Sequence, residues 1–216
     1  PARLIAIMDL LVNIWQELSQ YSIPEMIAVL ASLSYVILAT RENRACWPAA
    51  IMGSGIYVVV FFQYQLYMDS VLSVFYVAMA IYGWFTWKPA RERSTTARHI
   101  PAVKIHCWSK QTHVYGLLAV ALLTLSSGSY LTNNTDAAFP YLDSLTTWSS
   151  LFATWMVVNK VLENWLYWIA IDALSLYLYI NKALFFTSAL FALYIIIAGY
   201  GYWHWRQRWQ AQQQEY

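Results

Sequence analysis

Long stretches without charged residues occupy most of the chain and predict membrane-spanning helices. An apolar helix of about 20 residues crosses the hydrocarbon layer and satisfies its own backbone, whereas a buried charge is costly there. Five uncharged stretches are long enough: 47–68, 70–87, 111–135, 144–159 and 183–205. Two more, 23–40 and 165–181, are also predicted to cross, the second with a single acid, Asp172.

The first 20 residues carry a polar stripe on an otherwise apolar helix. Asp9, Asn13, Glu17 and Gln20 recur at spacings of three and four residues. Such a stripe is typical of an interfacial helix or of a span whose polar side packs against a bundle. We favour the span, which predicts eight membrane helices in all.

The composition agrees with a membrane protein and excludes several functions. Of the 216 residues, 60% are hydrophobic and 11% are charged, whereas a soluble domain has about 25% charged residues. A net charge of +2 without a basic tail gives no support for nucleic-acid binding. The chain has no glycine-rich phosphate loop, paired zinc ligands or nucleophile elbow. We therefore expect neither an enzyme nor a bound metal or cofactor.

The basic residues predict the orientation. Residues 88–110 hold six of the 13 Lys and Arg residues, and short cytoplasmic loops are enriched in these residues. With that segment inside, alternation of the spans places eleven of the 13 inside and only Lys182 outside, while Arg3 depends on the first helix. Both termini are then cytoplasmic if the first helix spans.

An internal repeat lies beneath the hydrophobic pattern. Shifting the chain by 118 positions places residues 47–87 on 165–205 without a gap, with ten of 41 positions identical. The matches include paired tryptophans, Trp47 with Trp165 and Trp87 with Trp205. Three helices, one linking helix and three more helices form a parallel repeat, which is known from transporters of the SWEET type. Two like bundles around a cleft suit alternating access, but they also suit a static channel or a scaffold.

These patterns together predict an all-α polytopic membrane protein with a parallel 3+1+3 helix repeat and an extra N-terminal helix. The predicted units are the additional helix 1–21, a first three-helix bundle 22–87, a cytoplasmic basic linker 88–112, a linking transmembrane helix 113–130, an external loop with the second bundle 131–205, and a cytoplasmic tail 206–216.

A stripe on the predicted helix 165–181 is the main candidate for a binding site. Its residues are spaced by 3, 4, 3 and 4 positions, which places them on one helical face: Trp165, Trp168, Asp172, Ser175 and Tyr179. An acid about 10 Å deeper than Trp165 in an apolar helix indicates a functional site, although it also suits a structural pair with a hydroxyl or backbone group. For the two tryptophans the alternative is an interfacial aromatic belt.

Polar residues at the helix ends form a second group of candidates. Gln63 maps onto Asn181 in the repeat, so an amide near each external end is available to bind ribose hydroxyls or a carboxamide, or simply to be solvated. The candidate gate residues are Gln65, Asp69 and Lys182 near the external turns and Asn159 and Glu163 near the cytoplasmic side. Residues of these types also commonly end helices in the headgroup region.

Two runs resemble the signatures of the PnuC family of nicotinamide riboside transporters. They are ENWLYWIAID at 163–172 with YINKAL at 179–184, and FFQYQLYMDS at 61–70 followed by YGW at 82–84. The resemblance covers residues 23–205. It implies a SWEET-like fold and uptake of nicotinamide riboside across the bacterial inner membrane by facilitated diffusion. It further implies trapping by a cytosolic riboside kinase, and it allows a homo-oligomer such as a trimer in the lipid bilayer.

The chemistry of that substrate agrees with the predicted stripe. A riboside needs hydrogen-bonding groups for its hydroxyls, and its cationic pyridinium ring favours aromatic faces. The resemblance therefore implies a site lined by Trp165, Trp168, Asp172, Asn181 and Gln63. The alternatives are a SWEET-type sugar transporter or a transporter of a related, thiamine-like vitamin.

Overall fold

The chain folds into a bundle of long helices. The computed structural model describes residues 2–63, 67–87, 104–135, 139–181 and 184–214. Within these ranges the helices are α1 (Ala2–Gln20), α2 (Ile23–Thr40), α3 (Cys46–Gln63), α4 (Tyr67–Thr86), α5 (Lys110–Asn134), α6 (Pro140–Val158), α7 (Asn164–Asn181) and α8 (Phe185–Gln214). The fold is all-α, as predicted, apart from one isolated bridge between His106 and Val161.

Local sequence signals set several helix ends. Ser22 caps α2 in a capping box, in which its hydroxyl accepts from the Glu25 amide and the Glu25 carboxylate accepts from the Ser22 amide. Ser109 caps α5 by accepting from the Thr112 amide at 3.2 Å. Pro140 lies in the first turn of α6, where its missing N–H costs nothing.

Among the residues that the structure describes, five helices are long and apolar enough to cross a membrane. They are Ile23–Thr40, Cys46–Gln63, Asp69–Thr86, Lys110–Asn134 and Phe185–Gln214. Helices α6 and α7 match the predicted positions but are less apolar, because α6 begins with several polar residues and α7 is rich in Trp, Tyr and Asn. Their crossing, and that of α1, remains a prediction.

The element bounds differ from the predicted units at two places. The linking helix runs over Lys110–Asn134, which extends the predicted 113–130 by about one turn at each end. Helix α8 continues to Gln214, so the predicted tail 206–216 is helical as far as it is described. Most of the predicted basic linker, 88–103, lies outside the described residues.

We call α2, α3 and α4 the first group of helices and α6, α7 and α8 the second group, after the predicted repeat. Helix α3 packs against α2 and α4, and α7 packs against α6 and α8. The groups meet where α2 contacts α8 and where α4 contacts α6, while α5 packs on α6 and α1 packs on α8. If the repeat pairs α2 with α6 and α4 with α8, these two junctions are equivalent.

One end of the bundle holds a cluster of buried hydrophobic residues. Helices α2, α4 and α6 end there, α3 and α7 begin there, and α8 passes it with Trp205. We call it the basic end, because Arg41, Arg44, Lys160, Arg206 and Arg208 lie at or near it. The end where α2, α4 and α8 begin is called the opposite end.

Candidate functional site

A cavity of about 440 Å³ lies between the two groups of helices. This volume is within the range of roughly 300–1,000 Å³ that is usual for small-molecule sites. Every helix from α2 to α8 except α5 contributes to its wall. The cavity extends from buried tryptophans near the basic end to Asp69, which is exposed at the opposite end.

Helix α7 provides one wall, and all five residues of the predicted stripe line the cavity. These residues are Trp165, Trp168, Asp172, Ser175 and Tyr179. Trp165 is 2% exposed and Asp172 is 5% exposed, whereas Trp168 and Tyr179 are half-buried. The 3,4 spacing thus identified the cavity-lining face of this helix.

Asp172 is a buried acid at mid-depth of this wall. Among the described residues, no hydrogen bond or salt bridge to its carboxylate is found. The described lining also contains no Lys or Arg, and its other acid is Asp69 near the opposite end. A buried carboxylate without a hydrogen-bond partner is costly, which is typical of a group kept for a ligand.

Helix α3 provides a second wall, which was not predicted from the sequence. Its lining residues are Trp47, Ala50, Ser54, Tyr57 and Phe61. Each lies 118 positions before a lining residue of α7, so the repeat offset already contained this wall. The two walls have tryptophan at the same level, but Ala50 and Ser54 occupy the positions that correspond to Trp168 and Asp172.

Hydroxyl groups from the remaining helices complete the lining. Tyr76 of α4 and Tyr194 of α8, which are equivalent in the repeat, both line the cavity. Helix α6 contributes a row of small hydroxyls at Thr146, Thr147, Ser150 and Thr154. Thr146 donates to the Asp143 carbonyl at 3.0 Å and Thr154 donates to the Ser150 carbonyl at 2.7 Å, so these two hydroxyls are left to accept hydrogen bonds from a ligand with several hydroxyls.

Four tryptophans separate the cavity from the basic end. Trp47, Trp87, Trp165 and Trp205 are at most 5% exposed. The ring centroids of Trp47 and Trp87 are 5.0 Å apart at 81°, and those of Trp165 and Trp205 are 5.4 Å apart at 89°. Both pairs have the edge-to-face geometry that aromatic rings prefer. We call this cluster the tryptophan seal.

Hydrogen bonds from the seal join the two groups of helices. Trp87 Nε1 donates to the Val158 carbonyl of the second group at 2.9 Å, and Trp205 Nε1 donates to the Ala39 carbonyl of the first group at 3.1 Å. The first group thus satisfies a carbonyl at the end of α6, and the second group satisfies one at the end of α2. The indole N–H groups of Trp47 and Trp165 are buried and lack a partner among the described residues.

An ion pair closes the basic end beyond the seal. Lys160 Nζ lies 2.7 Å from Glu42 Oε2, and both side chains are largely buried. Arg208 contacts the other carboxylate oxygen at 3.0 Å, and Lys160 Nζ lies 4.8 Å from the Trp87 ring. Both Glu42 (φ 52°) and Lys160 (φ 55°) have left-handed backbones, an uncommon conformation for these residues. They are also equivalent in the repeat.

The two predicted amides do not line the cavity. Gln63 and Asn181 are exposed, and Asn181 Nδ2 donates to the Tyr177 carbonyl of its own helix at 2.7 Å. Phe61 and Tyr179, two positions earlier, do line it. Two residues rotate a helix by about 200°, so the amides face away from the lining residues.

The gate candidates have different positions. Asp69 lines the cavity near the opposite end, while Gln65 and Lys182 lie outside the described residues. Asn159 ends α6 and donates to the Trp155 carbonyl of its own helix at 2.8 Å. Asn159 therefore caps the end of α6.

Glu163 holds the segment before α5 against the start of α7. Its carboxylate accepts from the Trp108 amide at 3.4 Å and lies 3.9 Å from His113 Nε2. Beside it, burial and the Glu163 charge raise the pKa of the Cys107 thiol to about 11. The segment also pairs with the α6–α7 turn through His106 and Leu162. Glu163 thus joins the linker to the turn that carries Lys160.

Comparison with known proteins places this architecture in a family. The chain is 27% identical over 193 residues to the nicotinamide riboside transporter PnuC of Escherichia coli strain K12, which covers 81% of each protein. It is 28% identical over 143 residues to the PnuC of Haemophilus influenzae, covering 64% of this chain and 58% of that protein. These relatives are named as transporters rather than enzymes.

A solved structure and a family model agree with these relatives. The crystal structure of the vitamin B3 transporter PnuC has a similar fold, with a TM-score of 0.67 and 19% identity over 92% of this chain and 88% of that one. The model of the family described as nicotinamide mononucleotide transporter matches residues 22–207, which leaves α1 outside the match. The chain belongs to this family and is a multi-pass membrane transporter of the PnuC type.

Proposed function

We propose that this transporter carries nicotinamide riboside by facilitated diffusion, with alternating access to the central cavity. The observation that carries the proposal is the cavity itself, which combines aromatic faces, a row of hydroxyls and one buried, unpaired acid. A riboside with a cationic ring needs these three groups. The names of the relatives agree with this substrate.

The charge of the lining favours the riboside over its phosphorylated form. A mononucleotide carries a phosphate with up to two negative charges, which proteins usually meet with Arg or Lys. The described lining has no Lys or Arg and instead contains Asp172. The pyridinium ring is attracted by the Asp172 carboxylate and by the Trp168 face, an aromatic contact worth about 0.5–2 kcal/mol.

Alternating access is supported by the difference between the two ends of the cavity. The tryptophan seal and the Glu42–Lys160 pair close the basic end, whereas exposed Asp69 borders the cavity at the opposite end. In our proposal the two helix groups rock against each other as parallel repeats, which breaks these contacts and opens the basic end. The buried indole N–H groups of Trp47 and Trp165 then become available to substrate hydroxyls.

The direction of transport follows from the orientation. Because the basic end carries most of the described Lys and Arg of the bundle, we place it in the cytoplasm of a bacterium, with the chain in the inner membrane. Facilitated diffusion alone does not concentrate a substrate, so net uptake relies on phosphorylation by a cytosolic riboside kinase. We also propose a homotrimer, which light scattering of the purified protein measures directly.

A competition titration tests the substrate. Purified full-length protein is titrated with nicotinamide riboside, nicotinamide mononucleotide, nicotinamide, thiamine and ribose. We expect the riboside to bind most tightly and the mononucleotide at least about tenfold more weakly, because its phosphate faces a carboxylate. Preference for ribose would indicate a sugar transporter, and preference for thiamine a related vitamin transporter.

Flux into liposomes tests the mechanism. We expect saturable riboside entry without an ion gradient and faster exchange when the interior already contains riboside. Liposomes without protein give the background. A requirement for a proton or sodium gradient would contradict facilitated diffusion, and steady ionic conductance in a planar bilayer would indicate a channel.

A further inference from the structure

The first turn of α8 is held by a residue of α1. Glu17 Oε2 accepts from the Phe186 amide at 2.6 Å, and Glu17 Oε1 accepts from the Thr187 amide at 3.1 Å and from the Thr187 hydroxyl at 2.8 Å. The first amides of a helix have no partner within the helix and carry a partial positive charge. Glu17 therefore acts as a capping carboxylate supplied by another helix.

A second side chain strengthens this contact. The Tyr21 hydroxyl lies 3.0 Å from Thr187 Oγ1, and the Tyr21 ring packs edge-to-face on Phe186 with centroids 5.3 Å apart. Because an ionised carboxylate only accepts, the Thr187 hydroxyl donates to Glu17 and the Tyr21 hydroxyl donates to Thr187. The end of α1 and the start of α8 thus form one polar network.

The equivalent turn in the first group of helices has its own acid. Tyr67 and Phe185, which begin α4 and α8, are 118 positions apart, and Asp69 corresponds to Thr187. Helix α4 therefore carries Asp69 in its first turn, whereas the first turn of α8 has no acid of its own. Glu17 supplies the missing charge from α1, the helix outside the family match.

The held turn is close to the cavity wall. Phe191 and Tyr194 of α8 line the cavity, and Phe191 lies about 6 Å along the helix from Thr187. The Phe191 ring stacks on Tyr179 of α7 with centroids 5.1 Å apart and an angle of 15°. A shift at the start of α8 therefore moves an aromatic pair that borders the cavity.

We infer that Glu17 is a positioning residue of the transport site, which fixes the start of α8 and thereby the aromatic wall formed by Phe191, Tyr194 and Tyr179. This inference rests on the proposed function for its substrate. It assigns the additional helix α1 a role in binding, although α1 contributes no lining residue among those described.

Two substitutions and a rescue test the inference in the full-length protein. Glu17→Ala removes both acceptors, and Glu17→Gln keeps the shape but offers one neutral acceptor. We expect riboside affinity to fall roughly three- to tenfold in Glu17→Ala and less in Glu17→Gln, the scale of one charged helix cap. Amide exchange at Phe186 and Thr187 should quicken in parallel. Gln16→Ala, at an exposed neighbour on α1, is the matched control and should change neither.

The rescue variant copies the arrangement in α4. Adding Thr187→Asp to Glu17→Ala gives α8 an acid at the position of Asp69. We expect this double variant to recover slow amide exchange and most of the riboside affinity, although α1 remains without its carboxylate.

The outcomes separate the inference from the proposed function. Faster exchange with unchanged affinity and flux would show a purely structural cap and overturn the positioning role, and unchanged exchange would overturn the contact itself. If the unmodified protein binds no riboside, the proposed substrate is wrong, and the titrations are repeated with whichever probe, thiamine or ribose, it does bind. A rescue that restores exchange but not affinity would also overturn the inference.

Discussion

The two walls of the cavity, on α3 and α7, have equivalent positions but different chemistry. Near the basic end both present a buried tryptophan, Trp47 on α3 and Trp165 on α7. One turn further along, Ala50 on α3 corresponds to Trp168 on α7, and beyond that Ser54 corresponds to Asp172. The shared residues belong to the seal, whereas the residues that differ lie where a ligand fits. The tryptophan seal is thus common to both halves, and we propose that selectivity comes mainly from α7.

The largest expected effect is at the acid of the α7 wall. Asp172→Asn removes the charge that meets a cationic ring, and we expect affinity for nicotinamide riboside to fall roughly ten- to hundredfold, as for a charged hydrogen bond of about 1.5–3 kcal/mol. Ser54→Ala on the α3 wall should change it by less than about threefold. Isothermal titration of the two purified variants measures the difference. Similar losses in both would contradict the asymmetry of the walls.

Because the tryptophan seal is common to both halves, equivalent substitutions beside it should have similar effects on stability. A Cβ at Gly83 would lie 2.4 Å from the Trp47 ring, and one at Gly201 would lie 2.8 Å from the Trp165 ring. Gly83→Ala and Gly201→Ala should each lower the free energy of unfolding by about 1–3 kcal/mol through overpacking, with Gly83→Ala the more damaging.

Two other helical glycines provide the control for this prediction. A Cβ at Gly55 or Gly199 meets nothing within 4 Å. Gly55→Ala and Gly199→Ala should leave stability unchanged or raise it by up to about 1 kcal/mol, because alanine favours the helix. Thermal unfolding in detergent compares all four variants. Equal losses of stability in all four variants would show that overpacking against the seal is not the cause.

The aromatic difference between the walls gives a smaller effect on binding. Trp168→Ala should weaken riboside binding by roughly three- to thirtyfold, since a cation–π contact is worth about 0.5–2 kcal/mol. The neutral dihydronicotinamide riboside should lose less. Trp203, 54% exposed and outside the cavity lining, is the control position, and Trp203→Ala should leave affinity unchanged. Equal losses for the charged and neutral ligands would show that Trp168 contributes packing only.

The smallest predicted effect concerns the pair that closes the basic end. Glu42→Gln should open the seal more often and raise alkylation of buried Cys46 by about fivefold in a Cys107→Ser background, which corresponds to about 1 kcal/mol. Arg208→Ala removes the more exposed of the two cations that contact Glu42 and should raise it less than about twofold. Unchanged labelling in Glu42→Gln would show that the tryptophans alone keep this end closed.

Much of the fold could be predicted from the sequence because hydrocarbon tolerates few charges. The helices appear where uncharged stretches predict them, and the 3,4 spacing from Trp165 to Tyr179 identifies the cavity face of α7. The α3 wall required the repeat offset to be applied residue by residue. The parallel 3+1+3 arrangement remains a prediction, although the two tryptophan pairs have matching contacts.

Other features could not be predicted from helical periodicity or from the repeat. Gln63 and Asn181 were assigned to the site by their equivalence, but equivalence does not state which face of a helix turns inward, and both are exposed. The partner of Glu17 lies about 170 positions away along the chain, so no helical period points to it. The polar stripe on α1 predicted only that its polar side lies at the membrane interface or packs against the bundle.

The Glu42–Lys160 pair also bears on how such a chain arises. The two residues occupy equivalent positions with the same uncommon backbone, yet they carry opposite charges and touch at 2.7 Å. A dimer of two identical half-length chains would have the same residue at both positions, so it would bring like charges together. The contact therefore depends on a difference in sequence between the two halves, which two exact copies of one half do not have.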